Sequence, residues 1–131
     1  HVSLYATSQG KLLLASLSDS AVRRLIPEGK LQAFTPHTLT DLPALLADLE
    51  RIRTQGYAIE NGEYKIGLRS VSAPVYSREN DIAYIVSAVG LFRRVESDEF
   101  DLVIRQTCDD ARALSLQNGG GGCAEKPYLP L

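Results

Sequence analysis

The spacing of apolar residues changes several times along this chain, and each change marks an element. Leu12, Leu13 and Ser16 fall around one helical turn behind Ser8, which predicts a helix over residues 8 to about 17 with Ser8 as its cap. Ser18 or Ser20 can cap a second short helix that ends at Ile26 and Pro27. Residues 31–38 read as extended chain broken by Pro36. Leu42, Leu45, Leu46, Leu49 and Ile52 then recur at helical spacing behind Thr40, the expected cap, and Gly56 stands where a left-handed C-terminal cap belongs. Three strand signals follow, around residues 57–59, 68–76 and 82–89. The polar turn Arg78-Glu79-Asn80-Asp81 makes an antiparallel hairpin of the last two. Ser97 opens a final helix whose expected buried stripe is Phe100, Val103, Ile104, Thr107, Ala111 and Leu114. Helices, then a meander, then a long helix give an α+β domain with an antiparallel sheet and flanking helices.

Composition narrows the function classes. With 131 residues, 44% of them hydrophobic, the chain has the size of one domain with one core. A net charge of -2 argues against a surface that neutralises nucleic-acid phosphates, and the pairs Arg23-Arg24 and Arg93-Arg94 read as solvated. No apolar run has the roughly 20 residues of a membrane helix, and no signal peptide is evident. Two cysteines, Cys108 and Cys123, make neither a disulfide framework nor a zinc site, so the expected location is cytoplasmic. The four glycines 119–122 and the proline-containing residues 123–131 read as a linker and an irregular tail. The chain starts at His1 and has no Met, as expected of a piece cut from a longer polypeptide or of a chain whose methionines were lost in processing.

Candidate chemistry is sparse. Gly10-Lys11 suggests a phosphate loop, but Tyr5 stands where that motif requires its first glycine and Leu12 where it requires a hydroxyl. The helix start at Ser8, Gln9 and Gly10 is either an anion site made of backbone N–H groups or merely a cap with a close-packing glycine. Glu60 and Glu63 flank the Asn61-Gly62 turn without a nucleophile or metal ligand beside them. They read as two exposed loop acids, with Glu60 the better candidate to line a pocket. Ser70 and Ser72 share a strand face, and Ser87 can join them across the hairpin. Small hydroxyls on an apolar sheet suit either plain β packing or recognition of a small polar ligand. His37 and Cys108 lack the surroundings of a catalytic dyad. No catalytic residue, metal site or cofactor is expected, and the chain does not read as an enzyme.

Taken in order, five segments resemble the effector-binding domain of the IclR family of bacterial transcription regulators. They are residues 6–15 around Ser8, Gln9, Gly10 and Lys11; residues 35–41 around Thr35, Pro36, Thr38 and Asp41; residues 52–57 with Gly56; residues 60–64 from Glu60 to Tyr64; and residues 67–75 with Gly67, Leu68, Arg69, Ser70 and Pro74. The resemblance runs from about Val2 to Leu116. It implies a GAF-like fold, a curved antiparallel sheet with helices, enclosing a site for a small organic acid, sugar acid or aromatic acid. DNA would be bound only by a separate N-terminal winged helix-turn-helix, absent here, and the effector domain itself, residues 1–118, would lack its first strands. The family's effector contacts fall on Val2, Ser8, Gln9, Glu60, Leu68, Ser70, Ser87 and Val89, with Gly10 completing the helix-start amides. Ser87 keeps the first serine of a late Ser-x-Ser-Gly pattern; Val89 replaces the second, ahead of Gly90. Homodimers or homotetramers are implied. The competing expectation is a stand-alone GAF- or PAS-like sensor or interaction module.

Overall fold

The computed structural model describes residues 3–119. Four helices and three strands follow one another as α1 (Ser8–Ala15), α2 (Asp19–Leu25), α3 (Leu42–Gln55), β1 (Ala58–Asn61), β2 (Arg69–Tyr76), β3 (Ile82–Gly90) and α4 (Asp98–Gln117). The strands form one antiparallel sheet in the order β1-β2-β3. This is the α+β architecture expected from the apolar spacing.

The central strand β2 separates two cores. Val71, Ala73 and Val75 point to one side, where Phe100, Ile104, Cys108 and Ala111 of α4 cover them. On the other side Leu12 and Leu14 of α1, Val22 of α2 and Leu45, Leu49 and Ile52 of α3 form a second cluster that reaches Ala58. Leu114 is exposed and does not belong to the α4 stripe; Ser115, one residue on, is fully buried and accepts the Tyr76 N–H at 2.9 Å. Its hydroxyl also donates to the Ala111 carbonyl. A polar residue thus takes the innermost place because it satisfies a strand-end amide.

Helix ends depart from expectation in detail. The cap of α1 is Thr7, whose hydroxyl accepts the Gly10 N–H at 3.1 Å, so Ser8 is the first helical residue and is free to point inward. The cap position of α3 is Asp41, not Thr40, and it makes no side-chain bond; Pro43 in the first turn supplies pre-set backbone geometry instead. Ser18, Gly56 (φ 88°) and Ser97 cap as expected. Residues 31–38 form no strand; Pro36 and His37 occupy a turn that Thr38 closes by accepting the Phe34 and Thr35 N–H groups. In the β2–β3 turn Asn80 takes φ 64°, a conformation that asparagine tolerates better than most residues.

Lys11 ties the layers together. It is 1% exposed, and its ammonium donates to Asp48 of α3 at 2.8 Å, to Glu63 at 3.0 and 3.2 Å, and to the Ile59 carbonyl of β1 at 2.6 Å. Glu63 in turn accepts the Asn61 N–H at 2.8 Å, and Gln55 donates to the Tyr57 carbonyl at 2.8 Å. Those backbone groups lie on the outer edge of β1, so side chains already occupy it. The edge of β3 has no such cover among the described residues.

Gly10 is fixed by space. A Cβ there would lie 2.3 Å from the Ser3 carbonyl oxygen and 2.5 Å from the Leu4 Cα. Gly10→Ala therefore forces the segment before α1 outward, and a loss of about 1–3 kcal/mol is expected in urea denaturation. Lys11→Met should cost more, about 3–5 kcal/mol, because Glu63 and Asp48 keep their charges in a site built around an ammonium.

Candidate functional site

Register places the expected residues in two rows across the sheet. One is Glu60–Ser70–Val89 and the other Ala58–Ser72–Ser87, both on the face that α1 covers. That face is almost closed over β1 and β2, where Glu60, Ser70 and Ser72 are 3%, 2% and 0% exposed. It opens over β3, where Ser87 is exposed and Val89 is 53% exposed.

The first residue of α1 completes the arrangement. Ser8 is fully buried, and its hydroxyl lies 2.8 Å from that of Ser70 and 2.7 Å from that of Ser72. Ser72 continues to Ser87 at 2.7 Å, and Ser70 donates to Glu60 Oε1 at 3.2 Å. The result is an unbroken file of hydroxyls, Ser87, Ser72, Ser8 and Ser70, leading from the open face to a buried carboxylate. Small side chains are needed here because α1 packs directly on the strand, and each hydroxyl replaces the water it loses with another hydroxyl. Of the helix-start amides, Gly10 is taken by Thr7. Those of Ser8 and Gln9 are first-turn donors with no acceptor among the described residues.

Glu60 and Glu63 are not the exposed loop acids that the sequence suggested. Both are buried, because the turn between them is pulled inward by the 35–38 segment. Thr35 donates to the Gly62 carbonyl at 2.6 Å and Thr38 to the Glu63 carbonyl at 2.5 Å. Glu63 meets Lys11, whereas Glu60 has no cation among the described residues: its Oε2 accepts the Glu63 N–H at 2.7 Å and its Oε1 the Ser70 hydroxyl. Burial raises its pKa above the ordinary 4.5, and the neighbouring Glu63 carboxylate adds to the rise.

Of the remaining expected positions, Gln9 and Leu68 are half-buried, and Val2 lies outside the described residues. Ser72 was visible as the partner of Ser70 on one face but gave no sign of its central place in the file. Lys11 was hidden by an apolar run, Leu12, Leu13 and Leu14, that predicts packing rather than a buried charge. Cys108 is packed under α4, where burial pushes its thiol up to about 12 and leaves it unsuited to nucleophilic attack. Among the described residues no group of three or more His, Cys, Asp or Glu can hold a metal ion, and no helix is long and apolar enough to cross a membrane.

The raised pKa has a direct consequence for stability. The folded chain holds the Glu60 proton more tightly than the unfolded chain, so an ionised Glu60 costs stability. That cost is absent below 4.5 and grows as the pH climbs to the raised folded value, above which it is constant. Glu60→Gln should therefore melt higher than the parent chain at neutral pH. The difference should close on acidification, measured by thermal denaturation across the pH range.

Residues 1–116 match the family described as bacterial transcriptional regulator IclR C-terminal. Over 116 residues the chain is 34% identical to the HTH-type transcriptional repressor AllR of Escherichia coli (strain K12), covering 88% of this chain and 43% of that protein. Among solved structures, the C-terminal domain of the E. coli transcriptional regulator KdgR superposes with a TM-score of 0.77 at 30% identity, over 88% of this chain and 71% of that one. The Agobacterium tumefaciens repressor BlcR gives a TM-score of 0.78 at 26% identity, over 90% and 47%. The chain spans less than half the length of the AllR repressors it matches. The matched family consists of transcription regulators rather than enzymes. By the extent of these matches, the chain belongs to the IclR family, as a member of its C-terminal domain.

Proposed function

We propose that this chain is the effector-binding part of a transcription regulator, which senses a small organic acid and passes the result to a separate DNA-binding domain. The observation that carries this reading is the polar file on a buried sheet face, open at Ser87 and Val89 and flanked by the first-turn amides of Ser8 and Gln9. A few placed hydroxyls beside an exposed apolar side chain suit a small ligand better than a macromolecule. An anion is favoured by the helix-start amides of α1.

In this reading Ser87 and the Ser8–Gln9 amides bind the acid group, while Leu68 and Val89 line an apolar wall. Glu60, Ser70 and Gly10 support the site from behind. Valine at position 89 gives the ligand's body an apolar surface, which suits an aromatic or sugar acid at least as well as a small keto acid. Domain organisation follows the same proposal. Residues 1–118 form the sensing domain and 119–131 a linker and tail, with DNA contacted through a helix-turn-helix domain elsewhere in a cytoplasmic homodimer or homotetramer. The ligand acts only if it prefers one arrangement of the assembly, since equal affinity for two arrangements shifts neither.

The test is a thermal-shift screen of the chain against keto acids, sugar acids and aromatic carboxylates. A ligand at 100 times its Kd should add about 2.7 kcal/mol of stability, a shift of several degrees. Ser87→Leu should abolish that shift while leaving the unliganded melting temperature close to the parent value, because Ser87 is exposed. Silence across the panel would count against the effector reading.

A further inference from the structure

The hydroxyl file has a direction, and Glu60 sets it. A serine hydroxyl has one hydrogen to donate and two lone pairs to accept with. Ser70 spends its hydrogen on Glu60 Oε1, so the 2.8 Å contact between Ser70 and Ser8 is donated by Ser8. Ser8 then has none left, so Ser72 donates at 2.7 Å, and for the same reason Ser87 donates to Ser72 at 2.7 Å. With Glu60 ionised, every hydrogen in the file points inward. Ser87 then shows the open face only lone pairs, and lone pairs repel a carboxylate.

Protonating Glu60 reverses the file. The acid donates to Ser70, Ser70 to Ser8, Ser8 to Ser72 and Ser72 to Ser87, which frees the Ser87 hydrogen to point outward. One proton is added and no bond between heavy atoms changes. Resting on the effector reading above, the geometry points to a carboxylate effector that enters together with one proton, Glu60 taking up that proton so that Ser87 becomes a donor to the ligand. This makes Glu60 and Ser72, which the ligand need not touch, the positioning residues that decide whether the site accepts an anion.

The surroundings of Glu60 fit a group that changes charge. From its own turn Glu63 faces it, giving a backbone N–H and an unfavourable carboxylate. From α1, Lys11 is engaged by Glu63, Asp48 and the Ile59 carbonyl rather than by Glu60. From α3, Asp48 is paired with that same Lys11, and from β2 Arg69 is held by Asn61 Oδ1 at 2.7 Å. Tyr64, the next residue of that turn, gives Glu60 a further backbone N–H, and His37 lies beside Gly62. Glu60 is thus buried next to like charge with no cation of its own, and its pKa is already raised.

Glu60→Gln gives a sharp test. The oxygen that accepts the Glu63 N–H must remain an acceptor, so the amide oxygen takes that place and the amide N–H faces Ser70. The variant is therefore locked in the outward-donating state. Binding of pyruvate, gluconate and benzoate to the full chain would be measured by calorimetry over a range of pH, in two buffers of different ionisation heat.

For whichever of these binds, affinity should fall about tenfold per pH unit above the Glu60 pKa, with uptake of one proton. Glu60→Gln should bind with little pH dependence, and at alkaline pH more tightly than the parent chain. Ser72→Ala, which cuts the file, should also flatten the dependence. An infrared carboxylic-acid band should appear on binding to the parent chain and be missing in Glu60→Gln. Binding without proton uptake, or a slope that survives in Glu60→Gln, overturns this inference and leaves the effector reading standing. No binding by any of the three, in parent and variant alike, removes the effector reading and this inference with it.

Discussion

The arrangement depends on one buried ammonium. Lys11 brings α1 against α3 and the β1 edge in a single set of contacts, and its acceptors come from three different parts of the chain. A lone buried charge would be expensive, whereas one with four oxygens around it is bound to a specific geometry. By fixing α1 along the sheet, Lys11 also fixes Ser8, three residues earlier and nearly one turn away, over Ser70 and Ser72. The same lysine neutralises Glu63 and so leaves Glu60, in the same turn, as the carboxylate without a counter-ion. Helix placement and the electrostatics of the polar file therefore share one origin.

Much of this was legible in the sequence, for identifiable reasons. The α3 stripe and Gly56 are local signals, decided by spacing and by one backbone conformation. The β2–β3 hairpin was readable because a four-residue polar turn separates two apolar runs. Ser70, Ser72 and Ser87 were assigned a common face from the two-residue period, and register bears that out. What the sequence hid is what tertiary contact decides. Nothing local distinguishes Glu60 and Glu63 from solvated loop acids, since their burial comes from Thr35 and Thr38, about twenty-five residues upstream. Thr7 and Ser8 both satisfy the rules for a cap, and only the packing of α1 on β2 turns Ser8 inward. Leu114 and Ser115 exchanged roles because a hydroxyl was needed at the end of β2.

These hidden contacts also explain why five weak segments act together. The 35–38 turn holds the 60–64 turn, which holds Lys11 of the first segment through Glu63, and Glu60 of that turn bonds Ser70 of the last. Gly10 lets the N-terminal chain pass close to α1. Each segment taken alone is a common turn, cap or strand. Their joint occurrence is one connected hydrogen-bond network, distributed along the sequence.

The two edges of the sheet are unequal. At β1 the outward backbone groups are occupied by Gln55, Lys11 and Glu63; at β3 no side chain among the described residues takes the edge, and Tyr84 and Val89 are exposed. A sheet able to extend in both directions would present a surface that polymerises. One able to extend in a single direction closes once that edge meets its like across a two-fold axis, or meets a strand from elsewhere, and growth ends there. Because Ser87 and Val89 lie on that same strand, anything that terminates the sheet also stands beside the outer end of the hydroxyl file.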